Sequence, residues 1–152
     1  MITPENDNAG FARWAIQLPE FIHDIFKQVY GENIVVYGEW SGGNIQKGIA
    51  IAGLPKMFVI FGIQRISGDE NDEQWLSLKK FTEGDLIHFG RHNIYVSEQF
   101  GVWNVDVDFE KPEDAIDAMN LLTVQIEDSC PVGRFFGQEG VGEGLVWTPK
   151  TY

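Results

Sequence analysis

The chain has 152 residues and a mass of 17.2 kDa, the size of one domain, and its 43% apolar, 13% aromatic and 22% charged residues exclude disordered and fibrous classes. Eleven Lys plus Arg against 23 Asp plus Glu leave a net charge of −12. Such a balance excludes a general electrostatic grip on nucleic acid but leaves room for a narrow nucleotide pocket.

Residues 1 to 10 are polar and turn-rich, with Asp7 or Asn8 available to cap a following helix. Phe11, Trp14, Ala15 and Leu18 recur at three- and four-residue steps, and Phe21, Ile22, Ile25, Phe26 and Val29 do so again after Pro19. The spacing predicts two short helices meeting at Pro19, the second stopped by Gly31. From Asn33 the pattern becomes β, with strands predicted over Ile34–Tyr37 and Met57–Ile63. Ser67 to Gln74, with two Asp and two Glu, read as an exposed loop. Short strands are predicted over Trp75–Phe81, Leu86–Phe89 and Ile94–Ser97, and apolar and acidic residues alternate over Val105–Phe109 as in a half-buried strand. Pro112–Asp128 reads as a helix with Ala115, Ile116, Met119, Leu122 and Ile126 on one stripe. Gly133–Gly144 reads as a glycine-rich loop that leads into a last strand at Leu145–Trp147. The order of elements predicts one α+β domain over residues 1–152, with a single core and mostly antiparallel sheets flanked by helices. Cys130 has no partner for an intrachain disulfide, the apolar run at Met57–Ile63 is too short to span a bilayer, and the N-terminus lacks the blocks of a signal peptide. The expectation is a soluble cytoplasmic protein with no membrane partner.

Three constellations could carry chemistry. In Tyr37-Gly38-Glu39-Trp40-Ser41-Gly42-Gly43 a carboxylate leaves a strand into a turn where a ligand can approach the backbone closely. In Phe58-Val59-Ile60-Phe61-Gly62-Ile63, alternation sets Phe61 opposite Ile60, and Gly62 leaves space beside a ring that could stack on a planar base. In Gly140-Val141-Gly142-Glu143-Gly144-Leu145-Val146-Trp147, a carboxylate flanked by glycines could ligate a phosphate-bound Mg²⁺. Neither a P-loop nor a dinucleotide-binding turn is present. Taken singly, the first two read as a solvent-facing Glu beside a β-turn and a core aromatic.

In their order and spacing the three resemble the ATP-dependent RNA ligases, in particular the bacteriophage-type RNA ligase domain of the covalent nucleotidyltransferase superfamily. Glu39 in Tyr-Gly-Glu-Trp stands where that family has its motif III glutamate, Phe61 where it has the motif IIIa aromatic, and Glu143 in Glu-Gly-Leu-Val-Trp where it has the motif IV glutamate. The stretches Ile2–Ala12 and Cys130-Pro131-Val132 also look like family sequence. The resemblance implies the adenylylation-domain fold and a three-step reaction. A lysine attacks the α-phosphate of ATP to give lysyl-AMP, the AMP passes to an RNA 5′-phosphate, and a 3′-hydroxyl displaces it. It implies ATP (AMP) and Mg²⁺ as cofactors and RNA ends as partners. Glu39 and Glu143 would be catalytic, with Glu39 at the ribose, Phe61 on adenine, Glu143 at the metal, and all three serving one pocket.

The departures from the family pattern are specific. None of Lys27, Lys47, Lys56, Lys79, Lys80, Lys111 or Lys150 lies in the Lys-x-Asp/His-Gly nucleophile motif, and the closing Lys-x-Lys motif is missing. Gly62 stands where many relatives carry Asp. The expectation is a domain cut at both ends and inactive alone, the alternative a non-catalytic nucleotide-binding or protein-interaction relic. Other candidates read as structural. His88 and His92 have a helical zinc spacing in what reads as β sequence, Asp106 and Asp108 lack a third ligand, and Cys130 reads as buried packing.

Overall fold

The structure is a computed structural model that describes residues 2–43, 45–66 and 74–149. The loop expected at Ser67–Gln74 falls outside the described residues except for Gln74. The chain is α+β and forms two compact units, the first Met1–Ser41 with Pro55–Gln99, the second Gly42–Leu54 with Phe100–Tyr152.

In the first unit, α1 (Phe11–Ala15) and α2 (Glu20–Tyr30) meet at Pro19, as their periodicity predicts. Gly31, with φ of 83°, ends α2, a conformation open to glycine because it lacks a Cβ. β1 (Ile34–Ser41) pairs antiparallel with β2 (Met57–Arg65). The other edge of β2 is shared by β3 (Gln74–Leu76), antiparallel at Ile63–Arg65, and β4 (Ile94–Val96), parallel at Phe58–Ile60. The sheet is therefore mixed, with the antiparallel pairing that the sequence predicts in the majority and β4 as its parallel member. A strand expected over Trp75–Phe81 is limited to β3, which a 3₁₀ turn at Leu78–Lys80 succeeds.

Leu86–Phe89, expected as a strand, lies inside α3 (Glu83–Gly90). A capping box explains the difference: the Asp85 amide donates to Thr82 Oγ1 at 3.2 Å and the Thr82 amide donates to Asp85 Oδ2 at 2.8 Å. Two of the orphan N–H groups of the first turn are thereby satisfied, which outweighs the β tendency of the apolar run that follows. Ile22, Tyr30, Ile60, Ile63, Phe81, Phe89, Ile94 and Val96 bury their side chains together between the sheet and α2 and α3. Tyr30 donates its hydroxyl to the Ser77 carbonyl at 2.9 Å. Burial and the Glu98 carboxylate push its pKa up to about 12.

The second unit is built on α4 (Pro112–Asp128) and α5 (Pro131–Phe135). α4 has the bounds its pattern predicts, with Pro112 in its first turn and Glu113 and Asp114 beside the positive end of its dipole. Cys130 is buried, as expected, and also caps α5, its Sγ accepting from the Gly133 amide at 3.3 Å. The start of the expected glycine-rich loop is thus helical. Val105–Phe109 is not a strand: Phe109 is 90% exposed, and Asp108 accepts from the Glu110 and Lys111 amides in a turn that leads into α4. Leu145–Trp147 is likewise irregular. Among the described residues no helix is long and apolar enough to cross a membrane.

Candidate functional site

The site residues of the first unit are set by an irregularity in the β1–β2 ladder. Tyr37 pairs with Gly62, but the next residue, Gly38, pairs with Ile60, so Phe61 is the extra residue of a β-bulge. Before the bulge Phe58 and Ile60 face the core, and after it Ile63 does. Val59, Phe61, Gly62 and Gln64 therefore share the opposite face. Across the ladder Tyr37 and Glu39 lie on that same face, Glu39 opposite Val59 and Tyr37 opposite Gly62. β3 adds Trp75 opposite Gln64. Phe61 is 37% exposed and Glu39 is exposed. Two residues singled out in the sequence are thus brought to one face of one sheet, and Phe61 faces away from Ile60 as alternation requires.

This face is held in place by its neighbours. The Tyr37 hydroxyl donates to the Oε1 of buried Gln64 at 2.8 Å, and the Tyr37 and Trp75 rings lie 5.2 Å apart at 43°. The space beside Gly62 is not open as the sequence suggests, because a Cβ there would come within 2.7 Å of Trp75 Cζ3. Trp75 is the residue that sequence reasoning missed. Its signal was present in a three-residue strand, Gln74–Leu76, whose alternation exposes Trp75 and turns Leu76 toward the core.

Glu143 lies in the second unit, exposed, in an irregular segment. Its backbone is pinned from the residue before: the Gly142 amide donates to the Glu127 carbonyl at 2.8 Å, and a Cβ at 142 would fall 2.4 Å from the Ile126 carbonyl oxygen. Gly142 thus lets the segment run against α4 while the Glu143 side chain stays in solvent. Among the described residues no three His, Cys, Asp or Glu side chains gather to hold a metal.

His88 and His92 come together after all, but around an aromatic ring. His88 is on α3 and His92 just beyond it, with their rings 5.7 and 5.5 Å from that of Phe21 in edge-on contact. His88 is exposed and His92 half-buried, so both meet the Phe21 ring at the surface.

The first unit also carries an open cleft of about 720 Å³, lined by Asp7, Arg13, Trp14, Trp40, Lys56 and Asn93 among others. Its polar groups hold down the N-terminal turn. Trp40 Nε1 and Lys56 Nζ both donate to the Ala9 carbonyl. Asp7 accepts from the Ala12 and Arg13 amides at 2.8 and 3.2 Å and from Arg13 Nε at 3.1 Å. Burial pushes the Asp7 carboxyl up, but these donors together outweigh it and hold the pKa below the usual carboxylate value. The stretch Ile2–Ala12 is thereby explained as a tether over the Phe11, Trp14, Trp40 and Phe58 rings. Compared with models of known protein families, with curated proteins and with solved structures, the chain matches none.

Proposed function

We propose that the chain carries the nucleotide-binding face of an ATP-dependent RNA ligase nucleotidyltransferase domain. The observation that supports this reading is the shared sheet face of Glu39 and Phe61, with an aromatic ring exposed on the side of the sheet away from the core. In this reading adenine stacks on Phe61 and the Glu39 carboxylate accepts hydrogen bonds from the ribose hydroxyls, while the Mg²⁺ role of Glu143 rests on the family resemblance and not on this face. The same reading predicts no covalent AMP on this polypeptide alone. None of its seven lysines stands in the nucleophile motif, and without an activated amine the α-phosphate has no protein acceptor.

The test is an ATP titration by NMR with and without Mg²⁺, on the wild-type chain and on Phe61→Ala. Stacking on one ring contributes about 1–3 kcal/mol, less than the roughly 4 kcal/mol of millimolar binding. The expected result is weak, adenine-selective binding, helped by Mg²⁺ against the −12 charge and lost with the Phe61 ring. Tight, Mg²⁺-independent binding, or binding indifferent to Phe61→Ala, overturns the reading. AMP retained through denaturing electrophoresis would show that one of these lysines is a nucleophile after all. A second reading, a non-catalytic nucleotide-binding relic, is favoured by the missing lysine motif. An in-frame Lys-x-Asp/His-Gly sequence upstream of Met1 in the gene would decide against it.

A further inference from the structure

We infer that Trp75 is a second base-contacting ring of the nucleotide face, lying on the sheet face of Phe61 in the volume that a side chain at position 62 would otherwise fill. The inference rests on the nucleotide-binding reading above and extends it to a residue outside all three motifs. Position 62 and the indole exclude one another, since even a methyl at 62 would lie 2.7 Å from Cζ3 and 3.4 Å from Cε3. Only glycine leaves the ring its place. Gly62 has no left-handed backbone angle to account for it, so the close approach of Trp75 is the physical reason for a glycine inside this strand.

The ring is held without being covered. Tyr37 packs against it at 5.2 Å, Gly62 lies beneath it, and pairing with Gln64 fixes its backbone, yet the residue is 57% exposed. A tryptophan serving the core would be buried, whereas Trp75 keeps much of its ring in solvent at a place set by Tyr37, Gly62 and the ladder. The ligand class that fits is a purine nucleotide, whose planar bicyclic base can use an exposed indole on the same sheet face as the Phe61 ring. The phosphate has no part in this contact, which gives the proposal a clean control.

The experiment follows Trp indole N–H resonances of the full chain during titration with AMP and, as the base-free control, ribose 5-phosphate. The proteins are wild type, Trp75→Phe, Trp75→Leu, Gly62→Ala and Phe61→Ala. Loss of the Trp75 signal in Trp75→Phe assigns it. The expected result is a shift of the Trp75 resonance with AMP and a roughly tenfold weaker AMP affinity for Trp75→Leu. Trp75→Phe, which keeps a ring, should stay within about threefold of wild type. Gly62→Ala should behave like Trp75→Leu because its methyl displaces the indole, and ribose 5-phosphate should bind all five alike. Should Trp75→Leu fail to fold, Gly62→Ala and Trp75→Phe decide. AMP binding unchanged in Trp75→Leu and Gly62→Ala but lost in Phe61→Ala overturns the role of Trp75 and leaves the nucleotide reading standing. AMP binding that is absent from wild type or untouched by Phe61→Ala overturns both.

Discussion

Two glycines lie on adjacent strands of one sheet and should respond to the same substitution in opposite ways. At Gly38 an added Cβ would fall 2.4 Å from Phe58 Cζ, 2.7 Å from Cε2 and 2.8 Å from the Val59 carbonyl oxygen. Phe58 has nowhere to go, because its ring is packed at 5.5 Å against Phe11 and 5.8 Å against Trp14, and the carbonyl belongs to the β2 backbone. At Gly62 the obstacle is the outer edge of an exposed indole that can swing into solvent. Replacing glycine by alanine gains about 0.4–1 kcal/mol through the unfolded chain at either site, so this part cancels between them. Overpacking a core costs about 1–3 kcal/mol, and the immovable carbonyl puts Gly38→Ala near the top of that range. Gly62→Ala should therefore fall within about 0.5 kcal/mol of wild type, and Gly38→Ala about 2 kcal/mol below it after the same correction. Urea unfolding followed by near-ultraviolet dichroism, which reports on the Trp14–Trp40 pair packed at 4.8 Å, measures both. Equal stabilities for the two variants would refute the packing described for Phe58.

Two further predictions concern titrating groups. Tyr30→Phe removes the hydrogen bond to the Ser77 carbonyl and should cost about 0.5–1.5 kcal/mol at neutral pH. Because the folded-state pKa of about 12 lies above the ordinary 10.0, the contribution of the neutral phenol is complete below pH 10 and lost as pH rises toward 12. Wild type should thus lose stability over that window faster than Tyr30→Phe, as denaturant midpoints against pH would show. For Asp7 the sign is opposite: its folded-state pKa is held below the ordinary 3.8, so its contribution is present above that value and lost as pH falls below it. Midpoints of wild type and Asp7→Asn should converge on acidification, and a constant gap would refute the carboxylate's role in tethering the N-terminal turn.

The elements legible in the sequence are those whose apolar period is long enough to average over context. α2 and α4 run 11 and 17 residues, and both have the bounds their patterns predict. Shorter stretches were decided by polar residues outside the period. The Thr82–Asp85 box turned an apolar run of β character into α3, and the Asp108 turn kept an alternating pentapeptide out of any sheet. Missing α3 also hid the topology. A helix after β3 lets the chain return alongside β2 in the parallel sense, whereas a strand in its place suggests an antiparallel neighbour there. Of the candidate site, the residue types at 39, 61 and 143 could be read directly. The local signal of Trp75 was an aromatic in a short strand, but its place on the face of Glu39 and Phe61 depends on register with Gln64 across a sequence gap that no local pattern spans.

The bulge joins the stability of the first unit to its proposed chemistry. Strict alternation along β2 would put Ile60 and Ile63 on opposite faces, one of them outside the core. With the bulge both are fully buried, and burying an isoleucine is worth about 1.5–3 kcal/mol. The disrupted ladder loses a hydrogen bond worth about 0.5–1.5 kcal/mol, so the core favours the bulge on balance. Phe61 stays on the outer face, as alternation from Ile60 requires, and the bulge brings Gly62 out beside it, both held there by the packing of Ile60 and Ile63 behind them. An exposed aromatic ring in the middle of a strand would ordinarily be drawn inward. Here it cannot turn in without expelling an isoleucine, and that constraint keeps the Phe61 ring available to a ligand.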